Sequence, residues 1–378
     1  MKVLFLSDGE MGVWADGSAR TLHSERLEKY MTTARELENR NAWKYEGAGA
    51  KFQGRENPYE MHRRMAESSC QVTAVAECGG KLLYALATPD MGGLYLKDMD
   101  DDRAPESSWL SERAFHLSDM HLRDETLAMA LNMAHGECHI ALLTVGKARY
   151  EVVTQGDTQD GAPFLCDDGR TLYYVSAGYA RNEEGFILAR GPSALLRLDV
   201  HSGDLTEVFA EEDTDYLRPK IGPDGLLYFI RRPWKQPKQK RLTLGDKIKN
   251  VGAFFKGIGR LFQFIGDPEG AAKRQPRIAG QKDEGQQKRM LEGVLVDVTR
   301  VSDAKTDDDE RGCVPDAWVL MRREDDGGLT ELVKGVADYD FDGDALVYSD
   351  GRRIIRLDDG KKNVLHKAVF IPRIVVCK

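Results

Sequence analysis

Two short runs hold residue types that bind metal ions. Residues 338–344 have the sequence DYDFDGD, which matches the first half of a calcium-binding loop, but Ser349 stands where that loop needs a bidentate Glu. His135, Cys138 and His139 have a spacing that suits zinc, although no fourth ligand is apparent. Both runs fall where two predicted strands must be joined, and Asp-Gly is a favoured turn pair. We therefore predict turns at both places, with no bound metal and no cofactor.

Six polar residues lie on short predicted strands that face the centre of the fold. Converging polar groups at such a place could bind a small ligand or a metal, or could do no more than line a water-filled channel. The chain has no nucleophile elbow, zinc-protease motif, phosphate-binding loop or dinucleotide fingerprint, so no catalytic residue is assigned. The channel-lining candidates are Asp119, His121, Arg218, Lys220, Asp338 and Asp340.

A third candidate site is a basic segment. Residues 231–290 contain 16 Lys and Arg and 5 Asp and Glu, whereas the rest of the chain contains 38 and 57. Within the segment, apolar residues recur at spacings of three and four from Ile248 to Ile265, which predicts an amphipathic helix of about 20 residues. The residues predicted to contact a membrane or a partner are Lys249, Phe254, Phe255, Lys256, Ile258, Arg260, Phe262 and Ile265.

Three placements of this helix are open. A basic amphipathic helix with Phe residues is typical of a helix that lies in the plane of an anionic membrane. The same pattern suits the apolar groove of a partner protein. The helix could also pack on the protein's own surface, where its three glycines would permit close approach. We expect a membrane or an unknown protein partner. Nucleic acid is not expected, because the net charge is −8 and the basic segment is rich in Phe and Ile.

The elements that would position these residues are mostly strands. Between residues 163 and 230, short apolar or alternating runs are closed by Asp168-Gly169, Gly203-Asp204 and Asp224-Gly225, which are hairpin signals. Each unit has four antiparallel strands, and units recur at about 40–50 residues, which is typical of propeller blades. We therefore predict an all-β, six-bladed propeller as a single domain over residues 1–378.

The two ends of the chain supply the sixth predicted blade. Residues 2–22 give three strands and residues 369–376 give one more, which would lie innermost and close the ring. Pro372 is expected to interrupt pairing there, because proline lacks a backbone donor. A helical excursion is predicted over residues 23–43, and a loop over 46–54 and Asn57-Pro58. The apolar face of the helix consists of Leu27, Tyr30, Met31, Ala34 and Leu37.

The repeats resemble those of a known family. The stretches PFLCDDGRTLYYVS, SALLRLDVHSGDLTEVF and PKIGPDGLLYFI, which begin at Pro163, Ser193 and Pro219, look like the repeat of TolB-like (WD40-like) bacterial β-propellers. The resemblance covers about two blades well and the others in period and turn chemistry. It implies a six-bladed ring and no particular activity, and it carries over no catalytic residues.

The sequence thus favours a non-catalytic binding platform or scaffold that the basic segment tethers to an anionic membrane or a partner. The alternative is a small-molecule hydrolase, similar to lactonase-type propellers, with a metal in the central channel. No apolar run approaches the ~20 residues that span a bilayer, and the six cysteines form no C-x-x-C pair. We expect reduced thiols and a cytoplasmic protein, peripheral on the inner face of the membrane if the tether operates.

Overall fold

Strands dominate the protein because short apolar runs are repeatedly broken by turn residues. In the computed structural model the described residues are 1–45, 58–113, 115–133, 135–182, 184–234, 288–298 and 312–377. The candidate membrane-binding residues from Lys249 to Ile265 lie outside them. The three strands predicted within residues 2–22 are present. They are joined at Asp8-Gly9 and Asp16-Gly17, where all four residues have positive φ, between 50° and 82°, as two-residue hairpin loops require.

Strands and helices follow one another along the chain in a regular order. The first are β1 (Lys2–Ser7), β2 (Glu10–Ala15), β3 (Ser18–Leu22), α1 (Glu25–Asn41), α2 (Pro58–Ser69), β4 (Gln71–Cys78), β5 (Lys81–Ala87), β6 (Met91–Asp98) and β7 (Ser107–Arg113). Then follow β8 (His116–Arg123), β9 (Thr126–Asn132), β10 (Cys138–Thr144), β11 (Glu151–Val152), β12 (Thr158–Leu165), β13 (Thr171–Arg181), β14 (Ile187–Arg190), β15 (Ala194–Asp199) and β16 (Leu205–Phe209). The last are β17 (Thr214–Ile221), β18 (Leu227–Pro233), β19 (Lys288–Leu291), β20 (Val294–Asp297), β21 (Val319–Arg323), β22 (Leu329–Lys334), β23 (Asp338–Asp342), β24 (Ala345–Ser349), β25 (Gly351–Asp358), β26 (Lys361–Ile371) and β27 (Arg373–Cys377).

Hydrogen bonding groups most of the described strands into antiparallel units, numbered I to VI. Unit I runs β27-β1-β2-β3, unit II β4 to β7, unit III β8 to β11, unit IV β12-β13-β15-β16, unit V β17-β18-β21-β22 and unit VI β23 to β26. Units III and IV form one sheet through a parallel bridge between Cys138 and Gln159. Pro372 separates β26 from β27, as predicted. β14 pairs with β13, and β19 pairs with β20 as a separate hairpin.

The apolar core lies between successive units. Neighbouring residues on a middle strand point to opposite faces, so Leu82 and Leu83 of β5 belong to two different clusters. Each of six clusters joins two units, and unit VI shares one with unit I. Representative members are Leu4 with Leu82, Leu83 with Met129, Ile140 with Leu172, Leu195 with Phe229, Ile230 with Tyr348, and Val347 with Val3.

Two helices connect units I and II. The predicted helix α1 is present; Ser24 caps it by accepting the Leu27 N–H at 3.1 Å. Of the predicted face, Ala34 is buried but Leu37 is exposed. The expectation of a loop at Pro58 is wrong, because α2 begins there; proline suits a first helical turn, where its missing N–H would have had no partner. Neither helix is long and apolar enough to cross a bilayer.

Candidate functional site

The site is built on the strands that begin units II to VI, together with β27 of unit I. These lead strands are β4, β8, β12, β17, β23 and β27. Successive lead strands contact one another from β27 through β4, β8 and β12 to β17, and β23 contacts β27. Lys220 links β17 to β23, since its Nζ donates to the Tyr339 carbonyl oxygen at 2.6 Å. Polar side chains on these strands therefore meet one another.

A bulge in β17 sets the position of Arg218. The register shifts between Leu217 and Lys220, and Arg218 has φ +55°, a conformation that non-glycine residues rarely adopt. Pro219 follows and has no backbone N–H, so this point of the bulge leaves no donor unpaired. The guanidinium reaches across to unit III, where Nη1 lies 2.5 Å from the Asp119 Oδ2 atom. Asp119 itself follows a bulge in β8.

The second acid on Arg218 comes from outside the lead strands. Glu292 and Gly293 form the two-residue loop between β19 and β20, and both have positive φ. The Glu292 Oε1 atom accepts from Arg218 Nε at 3.1 Å and from Arg218 Nη2 at 2.7 Å. It also accepts from Arg373 Nη2 at 2.6 Å. Glu292 therefore joins β17 to β27. We call Asp119, Arg218, Glu292 and Arg373 the central ion cluster.

A buried arginine anchors the tip of this hairpin. Arg232 donates to the Asp215 Oδ2 atom through Nε at 2.9 Å and Nη2 at 2.7 Å. Its Nη2 also donates to the Glu292 carbonyl oxygen at 2.7 Å, and its guanidinium lies 4.4 Å from the centroid of the Trp318 ring. Leu291 and Val296 add apolar contacts with units V and VI. The hairpin is thus held on both sides of its turn.

The carboxylates of β23 bind the edge of β27. Asp338 Oδ2 accepts the Ile374 N–H at 3.0 Å, and Asp340 Oδ2 accepts the Val376 N–H at 2.9 Å. The two-residue spacing on β23 matches the two-residue spacing of the donors on β27. Asp340 also pairs with Lys220 at 3.3 Å. These carboxylates satisfy backbone donors that would otherwise be unpaired at a strand edge.

Burial and neighbouring charges shift two of these groups. Burial raises the pKa of Asp338 to about 6, although Arg218 and Lys220 act in the opposite direction. For Arg218, burial alone would lower the pKa, but the charges of Asp119 and Glu292 outweigh it and the pKa is raised. Arg218 therefore stays protonated at every accessible pH.

The structure brings five of the six channel-lining candidates into this network. The contacts described for the sixth candidate, His121, are with β12. The His121 Nδ1 atom accepts the Leu165 N–H at 3.1 Å, and its ring packs against Phe164 with centroids 4.4 Å apart. Because Nδ1 accepts a hydrogen bond, the neutral ring carries its proton on Nε2. His121 thus joins β8 to β12.

The two metal-like runs occupy hairpins. Asp338–Asp342 forms β23, and Gly343 lies in the turn before β24 with φ +57°. A turn at Gly136, with φ +88°, precedes β10, which holds Cys138 and His139. In the part of the chain that the structure describes, no three His, Cys, Asp or Glu side chains are grouped to hold a metal ion.

Sequence reasoning missed Glu292, Arg373 and Arg232. The Glu292-Gly293 pair separates two short apolar runs, but Glu-Gly is not one of the favoured hairpin pairs, so the sequence signal for β19 and β20 is weak. The contacts of Glu292 could not be predicted, because Arg218 is 74 positions away and Arg373 is 81 positions away. Only the packing of the hairpin across units V and VI brings them together.

No family model matches the chain, and no curated protein matches it. Similar solved structures include the putative TolB from Agrobacterium tumefaciens, which is 12% identical over 80% of this chain and 82% of that chain, with a TM-score of 0.43. A protein from Lactobacillus plantarum is 11% identical, with 99% of each chain covered and a TM-score of 0.45. The tricorn protease is 11% identical over 96% of this chain, with a TM-score of 0.45, and this chain spans 33% of its length. A TolB structure is thus among those this chain resembles, and TM-scores below 0.5 give no information about activity, substrate or partner.

Proposed function

We propose that the protein is a six-bladed propeller that acts as a non-catalytic binding platform, tethered through its basic segment to an anionic membrane surface. Support for the ring comes from the cyclic order of the apolar clusters, in which unit VI packs on unit I, and from the pairing of β27 with β1. Units I to VI would be its blades, and the lead strands would line its centre.

The observation that carries a non-catalytic role is the pairing of the central acids. Asp119 lies against Arg218, Asp340 against Lys220, and Glu292 against two arginines. A carboxylate held by a cation is a weak general base, because the cation stabilises its ionised form. Asp338 is occupied by backbone donors on both oxygens. These acids hold the lead strands together.

The tether rests on the charge segregation of the sequence. Residues 231–290 carry an excess of 11 positive charges, whereas the rest of the chain carries an excess of 19 negative charges. Each Lys or Arg near an anionic surface contributes about 1 kcal/mol of attraction. The acidic remainder would be repelled, so the segment would orient the protein at the inner face of a membrane. A partner with an acidic, apolar groove would be bound by the same residues.

Co-flotation with liposomes tests the tether. We expect binding to vesicles that contain anionic lipid, loss of binding at high salt, and loss in a Phe255→Ser/Phe262→Ser variant or on deletion of residues 240–270. Phe186→Ser is the matched control, because Phe186 is 59% exposed and lies outside the basic segment. Salt-insensitive binding, or equal binding by all variants, would contradict the tether. No binding at all would favour a protein partner.

The alternative function, a hydrolase with a channel metal, makes a different prediction. Its metal would need carboxylate oxygens that now contact Arg218, Lys220 and backbone N–H groups. Metal analysis of the purified protein distinguishes the two. One tightly held divalent ion per chain, lost on Asp119→Asn, would favour the hydrolase over the platform.

A further inference from the structure

Two arginines from different strands bind one carboxylate oxygen in the central ion cluster. Arg218 and Arg373 together direct three N–H groups at Glu292 Oε1, at distances of 2.6 to 3.1 Å. Distances of this kind are typical of charge-assisted hydrogen bonds. Lysine could not offer the same planar arrangement of donors, which is why paired arginines are characteristic of carboxylate recognition.

The bound carboxylate is more accessible than the arginines that hold it. The Glu292 side chain is 23% exposed, whereas Arg218 is 8% and Arg373 is 18% exposed. The carboxylate comes from a hairpin tip, not from a lead strand. The two arginines therefore belong to lead strands, whereas the carboxylate belongs to the short hairpin of β19 and β20.

Removing the Glu292 side chain would leave Arg373 without the carboxylate that it now binds. Arg218 would keep Asp119, but the carboxylate that pairs with Arg373 among the described residues is that of Glu292. Arg218 would also keep the nearby charge of Asp338, so the group left without its carboxylate would be the Arg373 guanidinium, whose side chain is 18% exposed. A partly buried charge without a partner is costly, so an external carboxylate would be drawn to the vacated position.

We propose that Arg218 and Arg373 form a carboxylate-binding site that Glu292 fills as an internal ligand, and that molecules with a free carboxylate compete for it. This site deepens the proposed binding-platform function, because it names the ligand chemistry of the centre. It does not rest on the membrane tether, so vesicle binding and carboxylate binding can fail independently.

The test removes the internal ligand without disturbing its turn. Asn-Gly is the pair most favoured where both residues need positive φ, so Glu292→Asn keeps the loop while replacing the carboxylate with a shorter, neutral group. We expect the full-length variant to have a lower melting temperature than the wild type. Acetate should restore it in a saturable manner, half-maximally at a concentration on the order of millimolar, as suits a ligand of four heavy atoms.

The controls separate carboxylate binding from salt and space filling. Sodium chloride at equal ionic strength and acetamide should not restore stability. Acetate should affect the wild type only at much higher concentration, because there it must compete with Glu292. Adding Arg373→Gln to Glu292→Asn should abolish the acetate effect. Glu331→Asn is the matched control, because Glu331 makes an exposed pair with Arg231 at 3.8 Å; acetate should leave its melting temperature unchanged. If Glu292→Asn does not fold, the isosteric Glu292→Gln replaces it. A folded variant that acetate does not stabilise, or one that acetamide restores equally, would overturn the proposal.

Discussion

At the scale of single residues, Asp338 shows how burial and hydrogen bonding oppose each other. Its Oδ1 accepts the Tyr339 N–H and its Oδ2 the Ile374 N–H, each at 3.0 Å. Both bonds favour the ionised form, but complete burial outweighs them and raises the pKa from 3.8 to about 6. The folded protein therefore holds this proton more tightly than the unfolded chain does.

This raised pKa predicts a pH-dependent contribution to stability. Protonation of Asp338 stabilises the fold fully below the unfolded pKa, and the contribution is lost as the pH rises through about 6. Relative to Asp338→Asn, the free energy of unfolding of the wild type should fall by up to about 3 kcal/mol between about pH 4 and pH 7. Urea unfolding of both proteins across this range measures it. Asp359→Asn, at an exposed turn, should show no such difference, and a wild type that gains stability relative to Asp338→Asn would contradict the assignment.

The pairing of Arg218 predicts a large cost for removing its charge. Arg218→Met would leave Asp119 and Glu292 without their shared cation, and an uncompensated buried charge costs about 3–5 kcal/mol. Arg231→Met, on the neighbouring strand, removes an exposed partner of Glu331 and should cost about 0–1 kcal/mol. Chemical denaturation compares the two variants. Equal losses would show that the central ion cluster contributes no more than a surface pair.

The sequence identified most of the polar residues of the site, but it did not show which of them contact one another. Asp119, Arg218, Lys220 and Asp340 were identifiable because each lies on the first strand of a repeat and is polar in an apolar context. Which acid meets which base depends on the bulges in β8 and β17, and these follow from packing. Arg373 and Glu292 carry no local signal of their contact, because charged residues are ordinarily solvated.

At the scale of elements, close strand approach depends on a few glycines. Gly92 lies in β6, where an added Cβ would be 1.5 Å from the Phe115 carbonyl oxygen. Gly161 in β12 offers a matched comparison, since an added Cβ there would meet the Val175 Cγ2 atom at 4.0 Å, an ordinary contact. The two positions share a strand environment and differ in available space.

Gly92→Ala should therefore destabilise the protein strongly, and Gly161→Ala should not. Backbone atoms must shift to accept the methyl group at Gly92, and overpacking of this kind costs about 3 kcal/mol. Gly161→Ala should change the free energy of unfolding by less than about 1 kcal/mol. Thermal or urea unfolding of both variants provides the measurement. A well-tolerated Gly92→Ala would mean that β6 and the segment at Phe115 are farther apart than described.

Elements with strong local signals were predictable, and the others were not. Asp-Gly turns identified many of the strands, and the apolar periodicity of residues 27–37 identified α1. The helix α2 was missed because Pro58 and the preceding glycine-rich stretch are typical of loops. The hairpin of β19 and β20 was missed because it follows a segment whose composition differs from the repeats, and because Glu-Gly is not one of the favoured turn pairs.

At the scale of the whole molecule, β27 connects the last unit to the first. It pairs with β1 over five residue pairs, supplies donors to Asp338 and Asp340, and buries Ile374 and Val376. Its apolar side chains thus stabilise units I and VI together. The sequence indicated this position through leftover strands at both ends, and the pairing register could be known only from the structure.

Removing β27 should affect the entire fold. Burying two such side chains contributes about 3–6 kcal/mol, which is comparable with the total stability of many proteins. A chain that ends at Pro372 should lose its cooperative unfolding transition in urea. The full-length variant Val369→Ser, at a 54% exposed position on β26, should keep the transition. A truncated chain with an unchanged midpoint would show that β27 contributes little.

The pairing of β27 with β1 can form only after both strands have been synthesised. Lys2 pairs with Cys377, so the two halves of this contact leave the ribosome far apart in time. At typical elongation rates of about 5–20 residues per second, β1 waits roughly 20–75 s for its neighbour. During that interval its free edge exposes backbone donors and acceptors to any other strand. A nascent chain would therefore depend on chaperones to cover this edge until β27 has emerged from the ribosome.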